Sequence, residues 1–376
     1  MSTAVEFNVP RLWHRRMLRF AALAASFGAA MSGCSSHSNG TPAAAPVQHI
    51  LFVGDSFTHG RYTPVRPYNS GGTEEDSGST LVVDENYGQT GARAELEPGP
   101  WGGIPGIFAE FAFESNLGYD VHIEAISETS LQNNYAAASS IVDQSKWDAV
   151  VLQELSTRPL PYALTGDQTS DPRNFCDSVQ TIEAGVHGSA PSANVYLYET
   201  WPRADLAQTL SGSTAAPGFA TSYVANLTLL GNSYHNVYYS AAAHDGAIAG
   251  VAPAGEAWMR AWAEGIANPD PYTATSAATS ALPLLWYGLN ATNNPFIPAP
   301  DYLHPSIYGA YLSALVLFQQ ITGTDARQLG ANETAAALLG IPGQVAVQLQ
   351  QAAWESVTQE NPAPINQTVD PCTVSH

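Results

Sequence analysis

The stretch His49-Ile50-Leu51-Phe52-Val53-Gly54-Asp55-Ser56-Phe57-Thr58-His59-Gly60 decides the fold. Four apolar residues, Ile50 to Val53, run without alternation into Gly-Asp-Ser. A strand buried on both faces reads this way when it ends in a tight turn. In open α/β sheets, ligands bind just beyond the carboxyl ends of the strands, which places Ser56 where chemistry is expected. The plainer alternative is that Asp55-Ser56 only caps a helix, a role both residue types favour.

Downstream, residues 101–112 carry a helical pattern, with Pro105 in the first turn and Ile107, Phe108, Phe111 and Ala112 on one face. Apolar runs at 121–126, 147–154, 195–199 and 237–239 read as further strands. Residues 135–144, 175–187, 219–233, 255–266 and 306–321 read as helices. Strands alternating with helices at this spacing predict one α/β domain, a parallel sheet with helices on both faces. A long polar stretch, 61–100, interrupts the pattern. An insertion of that length inside a domain is functional or disordered. Its carboxylates, Glu74, Glu75, Asp76, Asp84 and Glu85, lack the spacing of a calcium loop, so a solvated loop is expected. Following Ser56 closely, it is placed to roof the site.

The 376 residues, 45% of them hydrophobic, suffice for a large core. A net charge of −20 excludes binding to nucleic acid or anionic lipid through a basic patch. Arg11, Arg15, Arg16 and Arg19 precede a short alanine-rich apolar run, 20–31, that ends in Met31-Ser32-Gly33-Cys34. This is the layout of an export signal over 1–33, too short in its apolar part to span a bilayer as a permanent helix. The small-small-Cys ending resembles a bacterial lipobox, which implies lipidation of Cys34. The expected organisation is then a tether at 34–48, the domain at 49–360 and a tail at 361–376. The expected location is outside the cytoplasm: lipid-anchored on the cell envelope, otherwise periplasmic or secreted. Membrane contact is expected only through that anchor. Cys176 and Cys372 remain, and an oxidising exterior lets them pair; two buried free thiols are the alternative.

Near the far end stands Asp301-Tyr302-Leu303-His304-Pro305-Ser306. A tight turn of this length brings a carboxylate to Nδ1 of the imidazole while Nε2 faces outward. A serine needs a base to become nucleophilic, and the base needs a partner to fix its tautomer. The two ends of the domain supply Ser56, Asp301 and His304 in that chain order.

On these residues the sequence resembles the GDSL/SGNH hydrolase family over about residues 49–322. The resemblance is carried by Gly54-Asp55-Ser56 after the first strand and Asp301-x-x-His304-Pro305 before the last long helix. It implies a three-layer, flavodoxin-like parallel sheet, Ser56 as nucleophile, His304 as base and Asp301 orienting it, with no metal and no cofactor. The family's oxyanion hole combines the nucleophile's own N–H with a glycine after the second strand and an asparagine after the third. Here Ser127 and Gln153 stand at those places, so the oxyanion donors implied are the N–H groups of Ser56 and Ser127 and the Gln153 amide. The implied activity is hydrolysis of short acyl esters, including O-acetyl groups on carbohydrate, through an acyl-enzyme. The expected partner is a small ester or an acetylated glycan. The alternatives are a lipase or lysophospholipase, and a non-catalytic glycan-binding surface lipoprotein.

Other residues carry weaker signals. His59 is expected in a loop or against substrate rather than as a base, and Glu154 is a possible substrate contact. His235, His244 and Asp245 are too loosely spaced for a metal motif. Tyr198, Trp201 and Trp286 read as core aromatics ahead of a sugar-stacking rim.

Overall fold

Ile50 to Val53 lie in β1, Gln48–Gly54, which has a parallel neighbour on each side and buries all four of these side chains. The computed structural model describes residues 46–273, 282–288 and 301–373; the expected leader, Cys34 and most of the expected tether lie outside the described residues. The other strands are β2 (Val82–Asp84), β3 (Tyr119–Ala125), β4 (Ala149–Leu152), β5 (Asn194–Tyr198) and β6 (Gly250–Ala252). They form one sheet in the order β2-β3-β1-β4-β5-β6, parallel throughout. Set aside the edge strand β2 and the order is that of a flavodoxin-like doubly wound sheet.

Helices Gly103–Glu114, Ala254–Ala263, Ile307–Thr322 and Gly343–Thr358 form one packed group. Leu131–Val142, Pro172–Ser189 and Phe219–Asp245 form another, and the sheet makes the middle layer. Winding reverses at β1, because the chain goes first to β3 on one side and then to β4 on the other. That reversal opens a crevice at the carboxyl ends of β1, β3 and β4, where such sheets bind ligands.

Three elements differ from the sequence reading. Val237-Tyr238-Tyr239 is not a strand but part of the helix Phe219–Asp245, which ends at Gly246 with φ 78°. Leu227, Leu230, Tyr234, Val237, Tyr238 and Ala241 recur at helical spacing and are buried, and this packing overrides the run's β propensity. The last strand is instead the short Gly-Val-Ala run of β6. The 61–100 stretch is not simply a solvated loop: it supplies β2 and buries Tyr62, Val65, Tyr68 and Val82. Val82 pairs with Val121 of β3, and the Asp84 carboxylate accepts the Trp101 N–H at 2.6 Å.

The aromatic core lies beside the site. Trp201 stacks on Trp258 with ring centres 4.3 Å apart and on Phe57 at 4.6 Å. Trp286 stacks on Trp262 at 4.6 Å. Tyr198, Trp201 and Trp286 are fully buried and form no exposed rim.

Cys176 and Cys372 are joined in a disulfide, with Cα atoms 5.6 Å apart, tying the tail to the helix Pro172–Ser189. His235 and His244 hold the same tail: His235 bonds the Ala363 carbonyl at 3.1 Å, and His244 lies 3.4 Å from Asp370. The bridge closes a long loop, so Cys176→Ser is expected to lower the unfolding free energy by about 2–5 kcal/mol. Urea denaturation checks this: the midpoint falls in the variant, and an unchanged midpoint contradicts it.

Candidate active site

The turn that carries Ser56 is built by three residues. Asp55 caps the short helix Ser56–His59, its Oδ1 accepting the Phe57 N–H at 2.8 Å. Gly60, with φ 75°, ends the helix after one turn. Gln153, just past β4, holds the turn from outside: its Oε1 accepts the Asp55 N–H at 2.9 Å and the Thr58 hydroxyl at 2.8 Å. Gly54 is required here, because a Cβ would stand 2.3 Å from Thr58 Oγ1 and 2.5 Å from Gln153 Oε1. The Ser56 N–H, at the first position of a helix, has no intrahelical acceptor.

The Asp301 carboxylate organises the second half of the site. Its Oδ1 accepts the N–H groups of Leu303 and His304, both at 2.8 Å, and closes the turn. Its Oδ2 accepts His304 Nδ1–H at 2.7 Å and the Tyr62 hydroxyl. With Nδ1 donating to Asp301, Nε2 of His304 is the acceptor, and it lies 2.8 Å from Ser56 Oγ. The turn is fixed from behind. Tyr287 N–H donates to the His304 carbonyl at 2.8 Å, and the Trp201 indole donates to the Leu303 carbonyl at 2.9 Å. Phe57 meets the His304 ring edge-on at 5.3 Å.

Burial sets the electrostatics, since Ser56 and His304 are each only 4% exposed. Desolvation lowers the His304 pKa below 6.5, against the opposing pull of Asp301, and the charges of Arg61 and Arg203 add to the lowering. Burial alone would raise Asp301, but its bonds to His304 and Tyr62 hold it well below the usual carboxylate range. At neutral pH the site therefore holds a neutral imidazole between a serine hydroxyl and an ionised carboxylate. This arrangement can take the serine proton and hold the resulting imidazolium.

The expected oxyanion donors fall into two classes. Gly54 pairs with Ala125, so Ser127 lies two residues past the end of β3, as Ser56 lies two past the end of β1. The Ser127 N–H has no hydrogen-bond partner among the described residues. Gln153 has a structural task beside the one given to it by resemblance. Its oxygen braces the nucleophile turn, and its Nε2 donates to the Glu154 carbonyl at 2.5 Å. The oxygen and one of the two amide N–H groups are bound inside the protein, so Gln153 positions the turn that carries Ser56 and keeps one N–H without a partner among the described residues.

Glu154 is fully buried, with Oε1 accepting the N–H groups of Leu131 and Leu155, and burial pushes it up to about 8. His59 is not in an open loop: it is fully buried and stacks on Trp101 at 4.0 Å. Glu74, Glu85 and His122 bring possible ligand atoms within 4.8 Å of one another, but Lys146 Nζ stands 2.9 Å from Glu74 and answers its charge. A cavity of about 280 Å³ lies between Tyr162, Val237 and Val369, and none of Ser56, Asp301 and His304 lines it.

Tyr62 is the residue that sequence reasoning missed. It is buried at the start of the insertion, stacks on Tyr287 at 3.7 Å and meets His304 edge-on at 5.7 Å. Its contact with Asp301 spans 239 positions, and no local pattern signals it.

No family model and no curated protein matches the chain. Among solved structures, a DUF4886 family protein from Bacteroides uniformis is similar over 83% of this chain and 95% of its own, at 12% identity and a TM-score of 0.46. A catalytic mutant of Axe2, an acetylxylan esterase from Geobacillus stearothermophilus, is similar over 73% and 94%, at 14% identity and a TM-score of 0.39. Phospholipase A1 from Streptomyces albidoflavus is similar over 74% and 99%, at 15% identity and a TM-score of 0.37. Likeness at this level leaves the function to the chain's own residues.

If His304 acts as the base, activity requires the neutral imidazole and is lost as pH falls through its pKa. The acid limb of kcat/KM is therefore expected below pH 6.5; a limb above that value contradicts the environment described. Tyr62→Phe removes one donor from Asp301, leaving more of its charge to stabilise the imidazolium. The limb is then expected to move up, with kcat changed by less than about tenfold, because the stronger base offsets the loss of one hydrogen bond that holds the turn. An unshifted profile with full activity contradicts this role for Tyr62.

Proposed function

We propose that this chain is a serine esterase of the GDSL/SGNH type, acting outside the cytoplasm on short acyl esters, with O-acetyl groups on carbohydrate among them. One observation carries the reading. Ser56 Oγ, His304 Nε2, His304 Nδ1 and Asp301 Oδ2 form a continuous hydrogen-bonded line at the carboxyl end of β1, with links of 2.8 and 2.7 Å.

In this mechanism His304 Nε2 takes the Ser56 proton as Oγ bonds to the ester carbonyl carbon. The carbonyl oxygen becomes an oxyanion, held by the N–H groups of Ser56 and Ser127. Collapse breaks the C–O bond to the alcohol, which leaves with the proton from the imidazolium. His304 then deprotonates a water that attacks the acyl-enzyme, releasing the acid and restoring Ser56. Asp301 remains ionised throughout.

The burial of Ser56 and His304 favours a small acyl group over a long chain. The intact line of bonds weighs against a non-catalytic glycan-binding module. An extracytoplasmic location is supported by the Cys176–Cys372 disulfide, which an oxidising compartment sustains, and by the leader expected over 1–33. Lipid anchoring through Cys34 belongs to the same proposal. Among the described residues, no helix is long and apolar enough to cross a membrane.

The test is hydrolysis of p-nitrophenyl acetate, with fluorophosphonate labelling of Ser56. Wild type is expected to turn over and to be labelled. Ser56→Ala is expected to lose more than about 1,000-fold in kcat and all labelling. Absence of both turnover and a Ser56 adduct in wild type sinks the reading. Acetylated glycans compared with longer acyl esters then define the substrate.

A further inference from the structure

The Ser127 hydroxyl lies between two groups that belong to neither its strand nor its loop. His59 Nε2 is 2.8 Å away and Glu97 Oε2 is 2.5 Å away. The direction of each bond is determined. The Arg61 N–H donates to His59 Nδ1 at 3.1 Å, so the His59 proton is on Nε2 and is donated to Ser127 Oγ. Ser127 then gives its own proton to Glu97. Burial, above all, and the neighbouring His304, Arg66 and Arg61 keep the His59 pKa well below 6.5, so this tautomer holds at neutral pH.

Strained backbone brackets the same contact. Arg61 and Glu128 are non-glycine residues with positive φ, 42° and 61°. Such conformations are strained for a residue with a side chain and persist where their surroundings enforce them. Glu128 directly follows Ser127. Arg61 reaches both acids: its Nε is 3.3 Å from Glu97 and its Nη1 is 3.6 Å from Glu128. The last ladder bond before Ser127 is Ile126 N–H to the Gly54 carbonyl at 3.0 Å. Ser127 is therefore the first residue past β3 whose N–H is released from the sheet, while its side chain is tied on two sides.

We propose that His59, Glu97 and the Ser127 hydroxyl form a positioning clamp that aims the Ser127 N–H at the oxyanion formed on Ser56. The inference rests on the esterase reading above. The clamp joins the turn after β1, the turn after β3 and the 61–100 insertion, so the insertion supports the site from behind. A donor fixed before reaction needs no reorganisation as charge develops, which is where such groups gain their effect. His59 and Glu97 touch no reacting atom; they act through Ser127.

Ser127→Ala keeps the N–H and removes the handle, Glu97→Ala removes the anchor, and Glu97→Gln keeps an oxygen that accepts the Ser127 proton. For each variant, kcat and KM are measured with p-nitrophenyl acetate. The inhibition constant is measured for a methyl trifluoromethyl ketone, whose adduct with Ser56 carries an oxyanion. Ser127→Ala and Glu97→Ala are expected to lose about 10–100-fold in kcat with KM nearly unchanged, and to weaken ketone binding by the same factor. Glu97→Gln is expected to keep most of the wild-type rate. Unchanged kcat in folded Ser127→Ala and Glu97→Ala overturns the clamp, and so does a kcat loss without a matching loss of ketone affinity. Wild type that neither turns over nor binds the ketone overturns the esterase reading itself, and the clamp with it.

Discussion

A single carboxylate holds the two ends of this domain together. Asp301 is buried, and a buried charge is costly unless every lone pair finds a donor. Its donors are two N–H groups of its own turn, the His304 imidazole and the Tyr62 hydroxyl. Tyr62 follows the nucleophile helix by three residues, so the charge that orients the imidazole also ties the entrance of the insertion to the last turn of the site. Removing any one donor leaves the other three in place but changes how much of the charge falls on His304. With all four donors in place Asp301 stays ionised although its side chain is only 7% exposed.

The sheet supplies the other constraint. Reversal of winding at β1 brings the ends of β1, β3 and β4 to one crevice, and each contributes one residue to the neighbourhood of Ser56. Two of these ends carry a structural task beside the one implied by resemblance. Gln153 uses its amide oxygen to stiffen the nucleophile turn, a task made possible by the absence of a Cβ at Gly54. Ser127 uses its side chain for anchoring and leaves its N–H free of the ladder. A serine does here what a glycine could not, because glycine has no hydroxyl to hold.

The chain is strongly acidic, yet two buried acids near the turn that carries Ser56 are held toward their neutral forms. Burial pushes Asp55 up to about 7 and Glu154 up to about 8. A carboxylate beside a developing oxyanion would oppose it by like-charge repulsion, whereas a protonated acid does not. Burial thus disfavours the charge that Glu154, next to Gln153 in the sequence, would otherwise carry.

By itself the sequence determined the sheet class, the central strand and the turn carrying Ser56. These are local: an uninterrupted apolar run, a Gly-Asp-Ser end and a period that alternates between strand and helix. The Asp301–His304 pairing was legible for the same reason, since a carboxylate three residues before a histidine closes its own turn. The tertiary structure alone decided the rest. Val237 to Tyr239 became helix because burial at helical spacing outweighed local propensity, and residues 82–84 became a strand because β3 offered an unpaired edge. Tyr62 on Asp301, and His59 with Glu97 on Ser127, join residues 30 to 239 positions apart. Nothing in the spacing of such residues records the contact, because it arises from the packing of elements rather than from the path of the chain.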